Sequence, residues 1–153
     1  MTLSFPALTR WILLRLRSRS VLRWVRRTGF SHWTIVDLNG RPRRAPRKSV
    51  PTTNAKEENS RPDLVVFLDL VDGLSEEEFS RLLTSLACRR VLFSFTERSP
   101  NWRPFPNTNE LEATGIISST LRRHGYRRQE IRRLPWSSRG RLVLAERADS
   151  SLV

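Results

Sequence analysis

Three carboxylates stand where apolar runs end. Asp69 closes, and Asp72 lies just past, the run that begins Leu64 to Leu68, and Asp37 follows Trp33 to Val36. In open α/β sheets ligands bind beyond the carboxyl ends of the strands, so acids at those ends can face a ligand. Each acid also has a plainer use. Asp72-Gly73 and Asp37 before Asn39-Gly40 are turn chemistry. A second group of residues is basic. Arg41, Arg43, Arg44, Arg47 and Lys48 form a patch with no aromatic residue between them, and the pairs Arg122-Arg123, Arg127-Arg128 and Arg132-Arg133 stand near Tyr126 and Trp136. Cations of this kind contact phosphates and give affinity without sequence choice; left alone they are solvated faces. His32, His124 and Cys88 form no metal-ligand spacing. There is no GxSxG elbow and no Walker loop. In VVFLDLVDGLS the acids are spaced DxxDG, not DxDG as in haloacid-dehalogenase-like phosphatases, which turns the second carboxylate to the wrong face.

The elements that must position these groups centre on residues 62–95, which read as strand, helix, strand. Leu64 to Leu68 and Val91 to Phe95 are apolar runs with little alternation, as in strands buried on both faces of a parallel sheet. Between them Ser75 and Glu78 form a capping box, with Leu74 and Phe79 as its staple. Phe79, Leu82, Leu83 and Leu86 recur at i, i+3, i+4 and i+7, one stripe able to lie on a sheet. A right-handed crossover fits this length.

Residues 7–28 read as a helix with Trp11, Leu14, Val21, Leu22 and Val25 on one face, Ser18 in the same row, and Leu13, Leu16 and Trp24 elsewhere. Three readings stay open: a helix packed on the domain, a basic surface helix meeting RNA or anionic lipid, or a transit peptide rich in Arg and Ser. Trp33 to Leu38 reads as a strand ended by Asn39-Gly40. Residues 41–62, with four prolines and few apolar side chains, read as a linker or long loop. After the Pro-rich residues 97–110, a helix runs from about Glu110 to His124, with Asn107 or Asn109 as cap and Gly125 as its stop. His124 at that helix end suits a cation facing the dipole. Tyr126 to Leu134 and Arg141 to Glu146 read as an antiparallel hairpin joined by PWSSRG, too short for a parallel crossover. The organisation is thus a basic helix over 1–30, a strand and linker over 31–61, an α/β domain over 62–147 and a tail over 148–153.

The chain has 153 residues and a formal net charge of +13, and 38% of its residues are hydrophobic. Of the 28 Lys and Arg residues, twelve fall within residues 1–48, where Asp37 is the single acid. The excess charge therefore belongs to the N-terminal third, which points to RNA or another anionic partner. Cys88 is the one cysteine, which fits a reducing compartment: the cytoplasm, or the mitochondrial matrix if the basic helix is a transit peptide. No apolar stretch approaches the roughly 20 residues that span a bilayer, and Arg15, Arg17 and Arg19 interrupt the apolar centre a secretory signal needs.

The order of elements resembles the C-terminal half of a class I S-adenosylmethionine-dependent methyltransferase over residues 60 to 147. PDLVVFLDLVDGLSEEEFSRLL is similar to the family's fourth strand and following helix, RRVLFSF to its fifth strand, and LRRHGYRRQEIRRLPWSSRGRLVLAER to its final helix and the antiparallel hairpin of its last two strands. The resemblance implies an α/β fold with a mostly parallel, Rossmann-like sheet, S-adenosylmethionine as cofactor, and methyl transfer to RNA or a small molecule. It makes IVDLNGR a second strand, with Asp37 on the cofactor's ribose hydroxyls, a task that suits two acceptor oxygens. Asp69 and Asp72 would line the pocket. The chain departs from the family at the Gly-rich loop after the first strand: its glycines, at 29, 40, 73, 115, 125 and 140, are scattered. That departure implies a degenerate or partial domain; the Arg clusters offer a second reading, a non-catalytic basic module that associates with RNA, and a third is a subunit whose sheet a partner chain completes.

Overall fold

The computed structural model describes residues 5–30, 33–43, 62–86, 88–97, 113–135 and 137–148. Among these residues five strands form one mixed sheet: β1 (Trp33–Val36), β2 (Leu64–Leu70), β3 (Arg90–Thr96), β4 (Tyr126–Leu134) and β5 (Ser137–Arg147), in the order β1-β2-β3-β5-β4. β1, β2 and β3 run parallel, with Val36 beside Phe67 and Val66 beside Leu92. β5 enters antiparallel between β3 and β4. The two apolar runs therefore lie side by side and point the same way, as their lack of alternation requires when both faces are covered.

Among the described residues, three helices supply that cover: α1 (Phe5–Thr28), α2 (Glu76–Leu86) and α3 (Ala113–Arg123). Phe79, Leu82 and Leu83 of α2 and Ile116, Ile117 and Leu121 of α3 share one buried cluster with Val65, Phe67, Val91 and Phe93. Within it the Phe79 ring stands edge-on to Phe93 at 5.3 Å. On the opposite face Val21, Leu22 and Val25 of α1 pack with Trp33, Ile35, Leu64, Val66 and Leu92. The alternate residues of β2, Leu64 and Val66 against Val65 and Phe67, feed the two clusters in turn. The core thus includes residues of α1 and β1 as well as those of 62–147.

The capping box forms as its residues predict. The Ser75 amide donates to Glu78 Oε2 at 2.7 Å and the Glu78 amide to Ser75 Oγ at 3.2 Å. Gly125 ends α3 with φ +84°, a conformation that a Cβ disfavours. The hairpin is tighter than expected, because β5 begins at Ser137 and not Arg141. Leu134 pairs with Ser137 while Arg133 pairs with Arg141, so residues 138–140 bulge. Ser137 Oγ takes the Gly140 amide at 3.0 Å, and the carbonyl of Arg139 takes the amide of Glu97 at 2.8 Å, so the bulge keeps partners. The proposed caps Asn107 and Asn109 and the bulk of the Pro-rich linker lie outside the described residues.

Candidate functional site at the carboxyl edge of the sheet

The carboxyl ends of β1, β2 and β3 lie along one edge, where an α/β sheet offers its crevice. Asp37 leaves β1 into the Asn39-Gly40 turn. Its Oδ1 accepts the amides of Asn39 and Arg41, each at 2.9 Å, and its own amide donates to the Arg41 carbonyl at 2.9 Å. Those amides, that of Arg41 first, hold its pKa below the ordinary carboxylate value. This carboxylate serves its own turn. Asp69 occupies the irregular end of β2, where the register against β3 shifts between Val66 and Leu70; its side chain lies outside the described residues.

Asp72 sits in the 3₁₀ turn Val71–Gly73 that follows β2, within reach of α1. Its Oδ1 lies 4.0 Å from Arg17 Nη1, and Arg17 Nη2 donates to Thr96 Oγ1, at the end of β3, at 2.7 Å. Arg17 is only 4% exposed, so a guanidinium spans the ends of β2 and β3 from within. Burial lowers its pKa, and Asp72 opposes that shift. One strand further, Glu97 pairs with Arg141 and accepts Thr114 Oγ1 at 2.9 Å; both ionic side chains are largely buried. The edge thus carries a turn-bound acid and then two shielded ion pairs. In the sequence Arg17 is marked only by its position: counted from Val21, an arginine falls at i−4 on the apolar face.

The remaining residues of interest lie elsewhere. Arg41 and Arg43 are exposed beside β1, and Arg43 donates its amide to the Ile35 carbonyl at 2.8 Å. Arg44, Arg47 and Lys48 fall outside the described residues. Arg127, Arg128, Arg132 and Arg133 are exposed on β4. Because β1 and β4 are opposite edges of the sheet, its full width separates the two arginine groups. His124 lies 2.7 Å, through Nε2, from Ser80 Oγ. Burial, then Arg123 and Arg147, lower its pKa, which opposes the cation its helix-end position suggested. Cys88 is buried 3.5 Å from the Tyr126 hydroxyl, and burial raises its thiol pKa, which makes it a structural thiol. Beside the Asn39-Gly40 turn a cleft of about 360 Å³ opens against α2, lined by Leu38, Asn39, Leu74 and Arg81 among others.

Among the described residues no group of three or more His, Cys, Asp and Glu side chains is placed to hold a metal, and no helix is long and apolar enough to cross a membrane. No family model, curated protein or solved structure matches the chain.

Proposed function

We propose that the chain is a degenerate, methyltransferase-like module that does not transfer methyl groups and works by binding an anionic partner through exposed arginines. Two features support the methyltransferase-like part. The final strand is inserted antiparallel beside the last parallel one, and α2 and α3 cover one face together. The observation that carries the non-catalytic part is Arg17. Its guanidinium lies between Asp72 and Thr96, across the strand ends where the family resemblance places the pocket. Asp37 adds to this, since a carboxylate that takes two backbone amides through one oxygen is less disposed to a ribose.

The test is a thermal melt of the full chain with S-adenosylmethionine. A ligand at about 100 times its Kd adds ~2.7 kcal/mol to the stability of the native state, so a bound cofactor raises the melting temperature visibly. No rise is expected at millimolar cofactor. A dose-dependent rise would favour the second reading, a competent transferase. The adjacency of the β1 and β2 carboxyl ends, with Asp37 and Asp69 on them, is what speaks for that reading.

A further inference from the structure

α1 has two sides with different partners. Its inner row packs on the sheet. Its outer row comprises Ile12, Arg15, Leu16, Arg19, Arg23, Arg26 and Arg27, all exposed. At 3.6 residues per turn these positions fall within an arc of roughly 120° along about 22 Å of helix. There is no acid in the row, and none within residues 1–48 except Asp37. The side chains of Arg19, Arg23 and Arg27 have no hydrogen-bond or ion-pair partner among the described residues; Arg15 and Arg26 extend the row while making contacts of their own. Ile12 and Leu16, 44% and 37% exposed, are the large aliphatic side chains most open to solvent among the described residues.

We infer that this row is a docking face for an anionic lipid bilayer, on which α1 lies flat with its arginines at the headgroups and Ile12 and Leu16 entering the acyl boundary. The inference rests on the proposed binding role and names its partner. Charge complementarity requires an anion, and the aliphatic pair chooses which one. Alkyl side chains interleaved with arginines gain from a bilayer, where burial and headgroup attraction add. Single-stranded RNA is held by aromatic stacking as well as charge, and the row contains no aromatic side chain. The ring beside it, Trp24, is covered by the Arg132 guanidinium at 5.8 Å from its centroid. The sheet face of α1 is already occupied, so the helix docks without unfolding the domain.

Sedimentation of the full chain with vesicles tests this. Binding is expected to vesicles of phosphatidylcholine and phosphatidylglycerol in equal parts, to weaken with salt, and to be absent with phosphatidylcholine alone. Arg19→Gln, Arg23→Gln and Arg27→Gln together should weaken it on the order of 100-fold. Ile12→Ser with Leu16→Ser, which keeps every charge, should weaken it roughly 10-fold. All five positions face outward, so a melting temperature unchanged from the parent separates loss of docking from loss of fold. Equal binding to neutral vesicles, or full binding by the serine variant, overturns the inference. A single-stranded RNA oligonucleotide bound while anionic vesicles are ignored also overturns it, but leaves the anion-binding role standing. If neither is bound, both fall.

Discussion

α1 and α2 cover opposite faces of the same sheet and are built on different terms. α2 is short and locally specified. Glu76, Glu77 and Glu78 occupy its first turn, where carboxylates suit the positive end of the helix, and the Ser75–Glu78 box fixes its start. Its apolar stripe is spent entirely on the core. α1 has 24 residues and no acid in its first turn, and its identified core contacts are Val21, Leu22 and Val25, near its C-terminal end. Midway it inserts a buried arginine, and on its far side it shows arginines and two aliphatics. One helix is there to fold the domain. The other also closes the carboxyl edge and presents a surface.

The largest expected difference between them is in the core. Phe79→Ala removes a fully buried ring that meets Phe93 edge-on, and should cost about 3–5 kcal/mol in a denaturant melt. A loss below ~1 kcal/mol would mean α2 is not the main cover of its face. Next comes the buried cation of α1. Arg17→Ala leaves Asp72, whose side chain is 14% exposed, without its nearby guanidinium, and should cost about 3 kcal/mol. Arg17→Met with Asp72→Asn should recover part of that loss, because the double variant abandons no charge. Additive losses would show that Arg17 and Asp72 are not coupled. Ser75→Ala is smaller, about 1 kcal/mol, and tests whether α2 depends on its local start signal.

What was legible in the sequence follows the same division. The β2-α2-β3 unit could be read because each of its signals is local and they agree: apolar runs, capping box and stripe all lie within residues 62–95. Gly125 and the hairpin were legible for the same reason. Strand order was not, since whether β1 joins the sheet, and beside which strand, depends on contacts with Leu64 to Phe67 well along the chain. The bulge at 138–140 was missed because Gly140 looks like an ordinary turn residue; its Cβ would come within 2.9 Å of Leu134 Cδ1. At the carboxyl edge Asp72 was located, but its partner Arg17 comes from an element far away in sequence, and the Glu97–Arg141 pair, also from distant elements, was not seen at all. Position along a chain shows where a carboxylate is, and only packing shows what has already claimed it.

The two remaining tests have smaller effects. His124 bridges from the end of α3 to Ser80 on α2, and burial with Arg123 and Arg147 lowers its pKa below 6.5. The unfolded chain therefore takes up that proton more readily than the folded one. The contribution is complete above pH 6.5 and falls as pH drops through the lowered value. Melts of the parent and of His124→Gln should diverge at neutral pH and converge on acidification; a constant gap between them would mean His124 does not titrate against folding.

The smallest effect is expected where α1 faces away from the sheet. Ile12→Ser and Leu16→Ser remove no core contact, since both side chains are more than a third exposed. Together they should change stability by less than ~0.5 kcal/mol, within the range of ordinary surface substitutions. Set beside Phe79→Ala, the contrast is the point: apolar residues on one helix hold the fold, while those on the outer row of the other do not. A destabilisation above ~1 kcal/mol would mean that Ile12 and Leu16 are covered in the folded chain. The outer row would then be part of the interior, and α1 would be a packing helix on both its sides.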